Sequence, residues 1–389
     1  MAQKPREGGI DMSNALSVNP CAPAPSPTEA LACDRRALIA GLGALGGMAV
    51  SAMLTRRAAA GPLDPPLGPV TSSYKTLTEV EPRIAINHTN TPGGGGSVYR
   101  IAQPGSYYLP GNITGQASRM TLEIAASNVS IDLMGFAVQG VPGSQLAISA
   151  FAAVNNVVIR NGFITGPGDG IVLTVVATGD GGLIENVHAW NVGGVGIVPN
   201  ANSIVRNCSA MDCMGVGIGV PDNCIVEECV VRSCNSRAIT AGSSCIVHNC
   251  AAYQNGFEGV FVGNRSRVTD CICYGNGGGI TVATGSLVRG NFCSNHTIAA
   301  GNAAGVLCTG SDNRVEENNC CAGNRGIRAT AGGNIIIRNT CSGNTTNWEI
   351  SSGNAVAPIV VATTNGAAIS GNSYAGSLGS TDPNANFTY

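Results

Sequence analysis

A glycine followed by a branched apolar residue recurs along this chain. It appears at Gly196-Ile197, Gly217-Ile218, Ala238-Ile239 (with alanine for glycine), Gly259-Val260, Gly279-Ile280, Gly305-Val306 and Gly326-Ile327, at intervals of 21, 21, 21, 20, 26 and 21 residues. A second apolar column, Val205, Val226, Val247, Val268, Val288, Val315 and Ile336, keeps nearly the same spacing. A repeat this short cannot bury an apolar face alone, so each unit must stack on the next. Each unit holds two or three short β-branched pieces split by Asn, Gly, Ser and Asp, as in Cys245-Ile246-Val247 and Gly259-Val260-Phe261-Val262. No unit has room for a ten-residue helix. The pattern predicts an all-β solenoid with coils rising ~4.8 Å each, and about eleven coils between Tyr99 and Ile350. The one long irregularity is an insertion around Ile298 to Ala304.

That register predicts which residues pile up. Arg160, Glu185, Arg206, Glu227 and His248 become a ladder of alternating charge on an outer face, each pair contributing at most ~1 kcal/mol. One position further lie Asn161, Asn186, Asn207, Glu228, Asn249 and Asp270, a file suited to left-handed corners and to hydrogen bonds between coils. A further run, Asn255, Asn276, Asn324 and Asn344, is expected to mark another turn. The cysteines follow the same period: Cys208, Cys229, Cys250 and Cys271; Cys213 and Cys234; Cys224 and Cys245; and, in the later coils, Cys273, Cys293, Cys320 and Cys341. Buried stacks of free thiol are the leading reading, since free cysteine behaves as a small hydrophobe. Disulfides between coils are the second, because stacked Cα atoms fall within bridging distance. Zinc is the third, though no C-x-x-C pair exists and files do not converge tetrahedrally.

Composition narrows the partners. Charged residues are 11% of the 389, against a usual ~25%. The net charge is −2, and lysine occurs only at Lys4 and Lys75. A nucleic-acid binder would carry a clustered basic face, so none is expected. Residues 1–60 read as a leader and export signal. Arg35-Arg36, an apolar run from Ala37 to Leu54, Arg56-Arg57 and Ala58-Ala59-Ala60 supply the basic, apolar and small-residue parts, with cleavage expected near Ala60. The glycine-diluted core resembles a twin-arginine signal, which predicts a periplasmic or extracellular product. A retained anchor and an ordinary helix are the alternatives; after cleavage no stable membrane span remains. Gly41-Leu42-Gly43-Ala44-Leu45-Gly46 matches a dinucleotide fingerprint but lacks a βαβ context, so no cofactor follows. Residues 61–98 read as linker and N-terminal cap, with a short helix expected over Lys75–Ile86 until Pro82. Residues 99–350 form the helix of strands, and 351–389 a C-terminal cap.

The stacked Gly-Ile strands, the Asn turns and coils such as Asn156-Val157-Val158-Ile159-Arg160-Asn161-Gly162 resemble the right-handed parallel β-helix superfamily, the pectate-lyase-like fold, over about residues 75–350. Val98 to Leu109 is similar to the opening coil of bacterial exported members of uncharacterised function. The resemblance implies a single-stranded right-handed parallel β-helix. It leaves the activity open, because the superfamily holds lyases, hydrolases, epimerases and non-catalytic adhesive proteins.

The resemblance places enzymatic members' chemistry in a groove along one sheet. The clustered aspartates and the G-H-G or R-x-K elements of its hydrolases are missing here. Gly168-Asp169-Gly170 and Thr178-Gly179-Asp180-Gly181-Gly182 read as turns. A calcium-dependent lyase would need converging carboxylates and a base, so calcium enters only under that alternative. The outward file of the Gly-Ile sheet, Val172, Val198, Gly219, Thr240, Phe261, Thr281, Leu307 and Arg328, is poor in charge. Arg237 stacked one coil from Glu258, with Asp212 and Asp222 nearby, is the best candidate cluster. A guanidinium there could hold a sugar carboxylate and Glu258 could act as acid or base, against the plainer reading of a salt-bridged turn. His248 belongs to the charge ladder. His188 with Trp190 could make a sugar-stacking spot, although a Trp packed under a turn is the plainer reading. His296 falls in the insertion. The leading function is a binding or structural role without catalysis, toward a glycan. The alternatives are a polysaccharide lyase, hydrolase or epimerase, and a periplasmic accessory protein that handles a metal or assists another complex.

Overall fold

The computed structural model describes residues 81–174, 179–296, 303–362 and 380–389. The expected export signal, the Gly41–Gly46 pattern, most of the expected linker and most of the 298–304 insertion lie outside them.

Each coil is built from three short strands. One runs Ile225–Glu227, Val230–Arg232 and Ile239–Ala241, and the next repeats it as Ile246–His248, Ala251–Tyr253 and Glu258–Val262. Every ladder between strands is parallel, and like positions pair: Val226 with Val247, Val231 with Ala252, Ile239 with Val260. The three strand positions define first, second and third faces. The third-face strands form one sheet of twelve, so the coil count is about a dozen, close to the eleven expected. In two early coils the first and second strands fuse through the corner, as Val157–Gly166 and Asp180–Val192. The described residues are all-β, a parallel β-helix.

Alternation explains the core. The middle residue of each first strand points inward and is fully buried, from Ile159 and Ile184 through Val205, Val226 and Val247 to Ile336. The residues on either side of it face outward. The charge ladder occupies one outer file as expected: Arg160, Glu185, Arg206, Glu227 and His248 are successive register partners. Arg206 Nη2 sits 2.7 Å from Glu185 Oε1. The corner that follows is left-handed in every coil from Asn161 to Asp270, with φ between 49° and 60°. Asn186 Nδ2 donates to Asn161 Oδ1 at 3.1 Å, the inter-coil bond anticipated for this file.

Three inner files run along the corners, one behind each. The first reads Cys208, Cys229, Cys250, Cys271, then Asn291, Asn318, Asn339 and Asn386. The second reads Ser203, Cys224, Cys245, Ser266, Ser286, then Asn313, Asn334 and Asn354. The third reads Cys213, Cys234, Asn255, Asn276, His296, Gly323 and Asn344. Side chains in successive coils take the backbone N–H of the coil before: Cys224 N–H reaches Cys245 Sγ at 3.4 Å, Cys271 N–H reaches Asn291 Oδ1 at 2.9 Å, and Cys234 N–H reaches Asn255 Oδ1 at 2.9 Å. Asn324 is a correction to the expected run. Gly323 holds the place in the third file, its N–H reaching Asn344 Oδ1 at 2.9 Å, because the file lies three residues after Cys320. Cys273, Cys293, Cys320 and Cys341 form a separate inner file on the second face. All fourteen cysteines from Cys208 to Cys341 are free thiols, thirteen of them buried. Burial pushes Cys308 up to about 12 and Cys224 up to about 11.

The third file also explains the glycine of the repeat. A Cβ at Gly217 would lie 2.3 Å from Val231 Cγ1 and 3.2 Å from Cys234 Sγ; one at Gly259 would lie 2.8 Å from Cys273 Sγ. The chain entering the third strand crosses directly over the corner side chain, and there is no room for a larger residue.

The ends are closed by strands. Ile84–Ala85 pairs with Tyr107–Tyr108, and Asn386–Thr388 pairs with both Thr340–Cys341 and Ile359–Val361. The short helix expected ahead of Pro82 falls on residues 75–80, outside the described residues; from Ile84 onward the first coil is covered by a strand. Open backbone groups on the first coil are satisfied by a strand, which a helix laid across them could not do.

Candidate functional site

The third face keeps the predicted register of its file, Gly219, Thr240, Phe261, Thr281, Leu307 and Arg328, although Thr281 and Leu307 are buried rather than presented to solvent. Its charges gather toward the two ends, as Arg100 with Glu123 at 3.1 Å and Arg328 with Glu349 at 3.0 Å. Between them, Arg237 and Glu258 meet as the spacing required. Arg237 Nε donates to Glu258 Oε2 at 2.7 Å, and the guanidinium lies 4.2 Å from the centroid of Phe261. The two charges neutralise each other and the cation is further occupied by the ring.

Asp212 and Asp222 are engaged elsewhere. Asp212 Oδ2 accepts the Trp190 indole N–H at 3.1 Å, and Asp222 Oδ1 accepts the Ser243 backbone N–H at 2.7 Å on the corner between the third and first faces. Among the described residues, no three His, Cys, Asp or Glu side chains are arranged to hold a metal ion. The two aspartates read as turn residues instead open strands, Asp169–Val172 and Asp180–Val192. Asp169 Oδ1 caps the Val195 N–H at 2.9 Å.

The histidines separate cleanly. His248 sits in the ladder, its Nδ1 3.0 Å from Thr269 Oγ1 and 3.5 Å from Asp270. His296 is not a loop residue: it replaces an asparagine in the third file and is 1% exposed. Its Nδ1 lies 3.3 Å from the Asn276 carbonyl, Nε2 has no hydrogen-bond partner, and burial lowers its pKa to about 4. A neutral, enclosed imidazole of this kind has no access to a substrate.

Trp190 overturns the reading of a ring packed under a turn. It stands 58% exposed on the second face. Beside it His188 stacks on Phe163, with centroids 5.4 Å apart and planes at 30°, and His188 Nδ1 lies 2.8 Å from Ser209 Oγ. Phe163 is 48% exposed. The strand's two outward files extend this patch along the coils. One runs Phe163, His188, Ser209, Val230, Ala251, Ile272, Phe292, and the other Trp190, Met211, Arg232, Tyr253, Tyr274. Val230, Ile272, Tyr274 and Phe292 are all exposed, as are Met214 and Phe257 on the adjoining corner. An apolar and aromatic strip on an outer face, broken at Ser209 and Arg232 and rimmed by polar corners, is the kind of surface that meets a ligand. The signal was present in the sequence, in the residues on either side of the Ala210, Val231, Ala252 and Cys273 column. It emerges only when the second strand is put in register with the first.

Residues 139–252 match the family described as "Right handed beta helix region". Among solved structures, an A-module of a mannuronan C-5 epimerase from Azotobacter vinelandii is 15% identical, with a TM-score of 0.45, covering 65% of this chain and 90% of that one. A periplasmic alginate epimerase is 13% identical with a TM-score of 0.42, covering 73% and 82%. The Dettilon tailspike protein is 16% identical with a TM-score of 0.43, covering 67% and 59%. These likenesses concern architecture and carry no functional argument. No curated protein matches the chain.

Proposed function

We propose that this right-handed parallel β-helix is an exported binding protein whose second face takes an extended glycan without cleaving it. One observation carries the reading: the exposed aromatic and apolar strip from Phe163 and Trp190 to Tyr274 and Phe292. Ring faces of Trp, Phe and Tyr suit the apolar faces of sugars, and the Asp212 carboxylate holds the Trp190 indole edge so that the ring is presented rather than collapsed. A rod of repeated coils offers the same kind of position again and again, which suits a repeating polymer.

The absence of catalysis in this proposal is supported by the pairing of Arg237 with Glu258, which leaves neither free to take or give a proton at a sugar. Export is supported by the paired arginines and apolar run before Ala60.

Only two tryptophans are present, so indole fluorescence reports on the strip. Titration with a panel of soluble polysaccharides is expected to quench or shift Trp190 emission for at least one polymer. Trp190→Ala is expected to weaken that binding at least tenfold while leaving the far-ultraviolet circular dichroism unchanged. Binding unaltered in Trp190→Ala, or release of unsaturated or shortened products that stops in Glu258→Gln, would overturn the proposal.

A further inference from the structure

Stacking puts an imidazole nitrogen against a hydroxyl of the next coil at two outer positions. His248 Nδ1 lies 3.0 Å from Thr269 Oγ1 inside the charge ladder, where Asp270 is also within 3.5 Å of the ring. His188 Nδ1 lies 2.8 Å from Ser209 Oγ on the second face. The surroundings of the second pair are different. Phe163 stacks on the far side of the His188 ring, so the imidazole is held between a phenyl ring and the hydroxyl.

Ser209 is a short side chain between two longer ones. Its register partners are His188 in the coil before and Val230 in the coil after, and the inward-facing residue beside it is Ala210. The hydroxyl therefore faces outward at the floor of a notch, and the residue is 8% exposed. Two residues along the strands, Met211 and Arg232 stand on the same face. The Arg232 guanidinium rests 3.9 Å from Met211 Sδ and closes no ion pair among the described residues. Positions one strand over and two residues along are about 8 Å apart at the backbone, a span that an arginine side chain covers. A serine within hydrogen-bond reach of an imidazole is how an oxygen nucleophile is activated. A cation placed beside it can meet negative charge that develops on a carbonyl oxygen.

We infer that Ser209 and His188 form a nucleophile and base pair that hydrolyses carboxylic esters with a short apolar acyl group. Nδ1 of His188 takes the hydroxyl proton as Ser209 Oγ bonds to the ester carbonyl carbon, and the oxygen's negative charge meets Arg232. The carbonyl re-forms as the bond to the alcohol oxygen breaks, and that oxygen takes the proton from Nδ1. Water, giving a proton to the same nitrogen, then attacks the acyl-serine. The carboxylic acid leaves and Ser209 Oγ recovers its proton. Val230 and Phe163 give the acyl group an apolar wall on either side of the pair. No glycosidic bond is cut, so the glycan-binding reading neither needs this step nor falls with it.

Hydrolysis of p-nitrophenyl butyrate, and labelling by a fluorophosphonate mapped by peptide mass spectrometry, test it on the full chain. The expected label on the wild-type protein is on Ser209, which no variant is needed to read. Ester hydrolysis is expected to fall at least tenfold in Ser209→Ala and in His188→Ala, and to stay within twofold of wild type in Thr269→Ala, which removes the hydroxyl of the other pair. Far-ultraviolet circular dichroism checks that the variants keep the fold. A native protein that carries no label on Ser209, or hydrolysis that persists in Ser209→Ala, would overturn the inference. The Trp190 titrations with polysaccharides read the glycan proposal separately, so the two fail independently.

Discussion

The coils from Cys208 to Cys271 and those from Asn291 to Asn386 solve one structural problem with different chemistry. In both, a side chain behind the first corner reaches back to a carbonyl of the preceding coil. Cys229 Sγ lies 3.6 Å from the Val205 carbonyl and Cys250 Sγ 3.6 Å from that of Val226; Asn318 Nδ2 takes the Val288 carbonyl at 3.0 Å and Asn339 Nδ2 that of Val315 at 2.9 Å. The amide does more in the same slot. Asn318 Oδ1 also accepts the Asn291 backbone N–H at 3.1 Å and its Nδ2 at 2.9 Å, while Asn318 Nδ2 reaches Asn339 Oδ1 at 3.0 Å. A thiol is a weak donor and weak acceptor, so the early coils rest more on packing and the later ones on a buried polar network. The difference shows that identical backbone geometry does not fix the kind of energy that holds it.

The largest effect is expected from cutting that network. Asn318→Ala takes the acceptor away from the buried Asn291 backbone N–H and from one Asn291 Nδ2 hydrogen, removes the amide donor to the Val288 carbonyl, and should cost ~3–5 kcal/mol. Cys250→Ala, in the equivalent slot, should cost only ~1–2 kcal/mol, mostly lost packing. Denaturant melts of the two variants check the contrast, and equal losses would erase it.

The next effect comes from the one imidazole in an amide file. His296 is neutral when folded, with a pKa of about 4 against an ordinary 6.5. Between those values the unfolded chain binds the extra proton, so stability should fall as pH drops from about 6.5 to about 4, by on the order of 3 kcal/mol, and this contribution flattens below. His296→Asn restores the ladder residue and should remove that slope. A variant with the wild-type acid profile would show that His296 does not set it.

The smallest effect is chemical. Among the fourteen described cysteines, a thiol reagent should label at most the half-exposed Cys321 in the native protein, and all fourteen after denaturation. Burial that raises Cys224, Cys245 and Cys308 above their ordinary range keeps them protonated and unreactive. Rapid native labelling of Cys208 or Cys229 would mean that the thiol coils open locally, and would sharpen the contrast with the amide coils.

The candidate site was less legible than the fold. Arg237 and Glu258 are one period apart, and their pairing followed directly. Asp212 and Asp222 are near Arg237 in sequence, yet Asp222 lies on a different corner and Asp212 serves Trp190. His296 looked like a loop residue because the insertion begins beside it, but its place three residues after Cys293 puts it inside the coil. Trp190 and the strip around it depend on which way a second-strand position faces, and that requires the strand's register as well as its spacing.

The sequence by itself determined the coil, its period, the inward apolar column, the charge ladder, the left-handed asparagine corner and the burial of the cysteines. These follow because parallel stacking forces residues one repeat apart into register, so a period read along the chain becomes a file in space. Only the tertiary structure decided that Trp190 is presented to solvent and that His296 is enclosed. Those outcomes depend on side chains meeting across corners and between faces, where the chain changes direction and the repeat no longer dictates who the neighbour is.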